Sequence, residues 1–117
     1  MAAPKKIDPE LMREREEAWV GDAVLALYMR ELILKEDGAM DGEKFVRCTS
    51  NDFLRNIGNA TSVEALIGRI YQEKGLEAAN EWMEYQLLPV FRKQEKNYQQ
   101  RQAQLAKKGG KRAKKKG

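Results

Sequence analysis

The run Ala18–Leu34 (AWVGDAVLALYMRELIL) constrains this chain more than any other stretch. It is apolar on nearly every side, so a helix made from it has to be covered by other elements. Yet it carries a carboxylate, Asp22, near its start. The helical neighbours of Asp22, three and four residues away, are Ala18, Trp19, Leu25 and Ala26, none of them basic. A carboxylate taken out of water without a partner is costly. Asp22 therefore either sits wet at a rim or meets something from elsewhere: a metal ion, an arginine or water in a cleft.

Punctuation residues divide the chain into helices. Asp8 before Pro9 reads as an N-cap with proline at the first helical position, and the pattern runs on to about Lys35. Gly21 inside that helix costs about 1 kcal/mol relative to alanine, which points to close helix–helix approach or to room beside a ligand. Gly38 is the expected C-cap. A second helix starts near Asp41. Within it, Ser50-Asn51-Asp52 predicts a kink or a fresh N-cap, since these side chains compete for backbone hydrogen bonds. A third helix is expected from about Thr61, capped by Thr61 or Ser62, to Glu73, with Gly75 closing it. A last helix, or two, spans Leu76 to about Gln99, divided near Leu88 by Pro89. No strand-like alternation or hairpin signal is present, so the predicted class is all-α, a small helical bundle. There is a faint internal echo between Gly21-Asp22-Ala23-Val24-Leu25 and Val63-Glu64-Ala65-Leu66-Ile67: each sets one acid beside an alanine in an apolar helix.

Charge is unevenly distributed. Residues 101–117 (RQAQLAKKGGKRAKKKG) hold eight of the 22 basic residues and no acid, so in the rest of the chain the 18 acids outnumber the bases. The expected organisation is a disordered lead over residues 1–7, a helical domain over 8–99 and a basic disordered tail over 100–117. Such a tail is either a solvated end or a salt-sensitive, sequence-independent contact for phosphates through Lys107, Lys108, Lys111, Arg112, Lys114, Lys115 and Lys116. A single cysteine, Cys48, allows no internal disulfide and suits a reducing compartment. No apolar run is long enough to span a bilayer, and the charged start does not read as a secretory signal. A cytoplasmic protein without membrane contact is expected.

The chain has no histidine, which removes the Ser-His-Asp triad and His-ligated zinc. It has no glycine-rich phosphate loop, and Cys48 lacks a histidine base. What remains is carboxylate chemistry. Should Asp22 and Glu64 meet across packed helices, they could hold Mg²⁺, which favours oxygen ligands and can activate water against a phosphodiester.

Three stretches, in order, resemble the ribonuclease III family. Trp19-Val20-Gly21-Asp22-Ala23-Val24-Leu25 resembles its signature helix. Thr49-Ser50-Asn51 with Phe53-Leu54 resembles its second motif. Thr61-Ser62-Val63-Glu64-Ala65-Leu66-Ile67-Gly68-Arg69-Ile70-Tyr71, continued by Lys74-Gly75-Leu76-Glu77-Ala78-Ala79, resembles its third. The resemblance covers roughly Glu14 to Met83 and is nearest to the compact Mini-ribonuclease III type, the catalytic domain alone. It implies an all-α endonuclease domain forming a homodimer that cleaves structured or double-stranded RNA, ribosomal RNA included, with Mg²⁺ or, in its place, Mn²⁺. On that resemblance Asp22 and Glu64 are catalytic metal ligands, and Trp19 packs across the dimer interface. Ala18, Asn51 and Thr61 are possible site-lining residues. Two departures stand out: Ala18 occupies a position where the family has glutamate, and Thr61 one where it has aspartate. The segment from Asn51 to Glu64 is also shorter than in most members. Glu17 is one residue out of phase with the lost glutamate and reads as solvated. The rival readings are a catalytically silent relative that binds RNA or a ribonucleoprotein, and a helical protein–protein adaptor.

Overall fold

A computed structural model describes the backbone of residues 8–116 and the side chains of residues 8–108; the expected lead over residues 1–7 lies outside the described residues. Six helices follow one another: α1 (Pro9–Asp37), α2 (Gly42–Thr49), α3 (Asn51–Leu54), α4 (Ala60–Lys74), α5 (Leu76–Gln86) and α6 (Leu88–Lys116). The chain is all-α, as its periodicity predicts, and no strand occurs among the described residues.

Local chemistry sets most boundaries. The Asp8 carboxylate accepts from the Glu10 N–H at 3.0 Å at the head of α1, and Gly38 ends that helix in the left-handed region at φ 71°. Ser50 is a fresh N-cap: its Oγ accepts from the Phe53 N–H at 3.2 Å and starts α3. The cap of α4 is neither Thr61 nor Ser62. It is Asn59, whose Oδ1 accepts from the Ser62 N–H at 3.1 Å, because the helix begins two residues earlier than the apolar pattern does. Pro89 stands in the first turn of α6, after the break at Leu87 that separates it from α5.

The core is one cluster. Leu25, Met29 and Ile33 of α1 meet Phe53 and Leu54 of α3, Ile67 of α4, Met83 of α5, Leu87 at the break after α5, and Phe91 in the first turn of α6. Phe53 and Phe91 meet edge to face, their ring centroids 5.9 Å apart. Cys48 is fully buried in this cluster; its Sγ donates to the Phe45 carbonyl at 3.2 Å, and burial pushes its thiol up to about 12.

The basic tail differs from expectation. The helix α6 continues through it to Lys116, so the chain beyond Tyr98 is helical where disorder was predicted. The run Gln99–Lys108 is built from Gln, Arg, Ala, Leu and Lys, all strong helix formers, without proline or a β-branched residue. It continues a helix already nucleated by the packed Phe91 and Glu95.

Candidate functional site

Two glycines build the central contact. At Gly21 of α1, an added Cβ would lie 1.7 Å from the Glu64 carbonyl oxygen; at Gly68 of α4, one would lie 1.9 Å from the Glu17 carbonyl oxygen. No side chain fits at either position, so α1 and α4 cross backbone against backbone. Of the two roles open to Gly21, close helix approach is the one observed. The two segments of the internal echo meet at this crossing, although the glycine that α4 supplies, Gly68, lies just outside its echoed segment.

The crossing brings the two acids together. Asp22 is exposed beside Gly21, and Glu64 is half-buried on the facing turn of α4. Burial comes first, and then the hydrogen bond to Asp22 and the charge of Asp22; together they push the Glu64 carboxyl up to about 7. Near neutral pH the Glu64 carboxyl is therefore only partly ionised. That arrangement takes up and gives off a proton at the pH where general acid–base groups act.

The magnesium expectation does not survive. Among the described residues no group of three or more His, Cys, Asp or Glu comes together to hold a metal ion, so neither Mg²⁺ nor Mn²⁺ is supported as a cofactor, and the metal-ligand roles of Asp22 and Glu64 fall with it. The reason is local. Ala18 is buried at the crossing and Thr61 is an exposed residue in the first turn of α4, so neither of the two altered positions supplies oxygen charge beside the pair. Glu17 does not compensate, and it is not solvated as expected. It is 8% exposed, accepts from Arg69 Nε at 2.8 Å, and lies 3.9 Å from Arg13 Nε. Its charge is spent pinning α4 to α1.

The remaining candidates separate. Asn51 is exposed at the start of α3 and makes no hydrogen bond to the carboxyl pair among the described residues. Trp19 is 81% exposed, which excludes it from the core of the single chain. With Val20, Ala23, Leu27, Tyr71 and Leu76 it lines an apolar groove of about 550 Å³ that reaches Asp22. Lys107 and Lys108 are exposed on α6, while the side chains of Lys111, Arg112, Lys114, Lys115 and Lys116 lie outside the described residues.

The sequence reading missed the polar seam joining α6 to the body. Arg47 Nε and Nη2 donate to the Glu95 carboxylate at 2.9 and 3.0 Å. The same guanidinium lies 3.8 Å from the centre of the Tyr98 ring, and Gln94 Nε2 donates to the Arg47 carbonyl at 2.9 Å. A second bidentate pair joins Arg92 to Glu36 of α1. The i,i+3/i+4 spacing of Gln94, Glu95 and Tyr98 was the available signal, although nothing local pointed to Arg47, some 48 residues away. No helix of the described chain is long and apolar enough to cross a membrane.

Comparisons with protein-family models, with curated proteins and with solved structures gave no match to this chain.

Proposed function

We propose that this chain is a ribonuclease III-like helical domain that engages structured or double-stranded RNA, and that it does so as a binding module. The observation that carries RNA engagement is α6: it holds eleven basic residues and a single acid, Glu95, which Arg47 neutralises. A cationic helix of this kind displaces counterions from a polyanion and binds it without regard to sequence. The likeness to the ribonuclease III family is supported by the convergence of its first and third motifs at one glycine-lined crossing, with Asp22 beside Glu64. Binding without cutting is supported by the alanine and threonine at two family acid positions and by the missing third ligand.

A second reading, RNA cleavage, is supported by the Glu64 carboxyl beside Asp22, which burial and that neighbour push up to about 7. In both readings the groove around Trp19 is the face for a second copy, since a large indole left 81% exposed among other apolar side chains favours association.

The test is a mobility-shift titration of a labelled RNA duplex with the full chain across a salt series, with a parallel gel for strand scission. Tight binding at low salt that collapses as salt rises, without scission, is the expected result. No binding at low salt would overturn RNA engagement. Scission that disappears in Asp22→Asn would replace the binding module with the nuclease.

A further inference from the structure

Besides the carboxyl pair and the Trp19 face, one concave surface carries chemistry of its own. An open groove of about 510 Å³ lies where the root of α6 passes the end of α3. Pro89 and Val90 line it together with the polar side chains of Asn56, Lys93, Gln94, Asn97 and Arg101. No acid lines it. Neither Lys93 nor Arg101 is tied up in an ion pair among the described residues. Asn56 is fixed in place, its Nδ2 donating to the Phe53 carbonyl at 3.0 Å.

The face of α6 that makes this groove is set by the face that α2 has already taken. Glu95 and Tyr98 are held by the Arg47 guanidinium, and Gln94, which also lines the groove, donates to the Arg47 backbone carbonyl, so the one acid of α6 points into the body. Lys93, Asn97 and Arg101 follow at four-residue steps and form a separate row. Gln104 and Lys108, both exposed, continue that row, which from Lys93 to Lys108 measures ~22 Å at 1.5 Å per residue. Cations alternate with amides along it, and no aromatic side chain interrupts it. Lysine and arginine meet phosphate oxygens, and amides meet phosphate and sugar, whereas base stacking needs aromatic faces.

We infer that this groove and the row leading from it are a phosphate-backbone anchor, in which Lys93 and Arg101 grip consecutive parts of one RNA strand and Asn97 bonds between them. The inference rests on the RNA reading above and adds to it a site, a direction along α6 and indifference to base sequence. Arg47 is the positioning residue: by holding Glu95 and Tyr98 it turns the row outward.

The experiment measures the affinity of the full chain for a labelled RNA duplex against salt concentration. It compares wild type, the pair Lys93→Gln/Arg101→Gln, and a control pair, Arg15→Gln/Lys74→Gln, that removes as much exposed charge elsewhere. Each lost phosphate contact lowers the slope of log affinity on log salt by about 0.9. The groove pair is therefore expected to lose about 1.8 from the slope, with at least a tenfold loss of affinity at about 0.1 M salt. The control pair keeps the wild-type slope, and two duplexes of unrelated sequence bind equally. Circular dichroism of each variant should match wild type, since all four positions are exposed. Wild-type binding with an unchanged slope in the groove pair, or an equal fall in the control pair, overturns the anchor while leaving RNA engagement standing. Failure of wild type to bind overturns the RNA reading itself.

Discussion

The α1–α4 crossing and the seam between α2 and α6 join helices by opposite means. At the crossing, two glycines leave no room for a side chain where they meet, and the backbones touch; the geometry there is steric. At the seam, the Arg47 guanidinium reaches a carboxylate and a ring, and the Arg47 backbone carbonyl accepts from the Gln94 amide; the geometry is polar and can give by rotamer changes. Steric contact fixes the place where two carboxyl groups are brought together. A polar seam suits a helix that needs only its direction set. The two joints are therefore expected to fail differently when mutated.

The largest effect belongs to the crossing. Gly21→Ala and Gly68→Ala each place a methyl inside the van der Waals surface of a backbone carbonyl, so each is expected to cost at least about 3 kcal/mol by overpacking, read as a lowered midpoint in denaturant. Because both act on one contact, the double variant should cost less than the sum of the two. A Gly21→Ala protein with wild-type stability would show that the helices can part freely.

Next comes the seam. Arg47→Ala leaves Glu95, with a side chain only 11% exposed, without its cation. The expected cost is about 2 kcal/mol, and amides of α6 beyond Tyr98 should exchange faster with solvent while those of α1 do not. Equal acceleration in both helices would mean that the seam is part of the core rather than a joint.

A smaller effect, of opposite sign, distinguishes the carboxyl pair. Glu64 has its pKa raised to about 7 from the ordinary 4.5, so between these values the folded protein holds a proton that the unfolded chain has released. The destabilisation is absent below about pH 4, grows through the interval and is complete above about pH 7. Glu64→Gln should therefore raise stability by about 1–2 kcal/mol at pH 8, after allowance for solvent screening at this half-buried site. At pH 4 it should change stability little. Denaturant titrations at the two pH values decide it. No gain at pH 8 would mean that water relieves the pair.

The smallest effect on the fold is at Trp19. Being 81% exposed, its replacement by serine should alter single-chain stability by no more than about 0.5 kcal/mol while abolishing any self-association. Light scattering checks the second half, and a variant as associated as wild type would remove this face from consideration.

What could be read from the sequence was whatever is decided within a turn or two of the chain. Asp8, Gly38, Gly75 and Pro89 mark helix ends because each acts on its own backbone. Gly21 could be read as a contact, although its counterpart Gly68 could not be paired with it. The meeting of Asp22 and Glu64 was legible through the echo of their surroundings and the resemblance of their motifs. The magnesium expectation failed because it took two acids as sufficient, where the neighbouring positions carry Ala18 and Thr61. Glu17 was misread because Arg69, its partner, lies 52 residues away. The α6 extension was misread because composition alone does not report that a packed first half has already met the cost of nucleation.

Cys48 gives the core a clock. With its thiol fully buried and pushed up to about 12, the folded protein presents almost no thiolate to an alkylating reagent at neutral pH. Labelling therefore waits on opening of the cluster around Leu25, Phe53 and Phe91, and the single cysteine reports that opening without any added probe. Each substitution above can thus be followed by mass alone, with the rate of mass gain ranking how often each variant breathes.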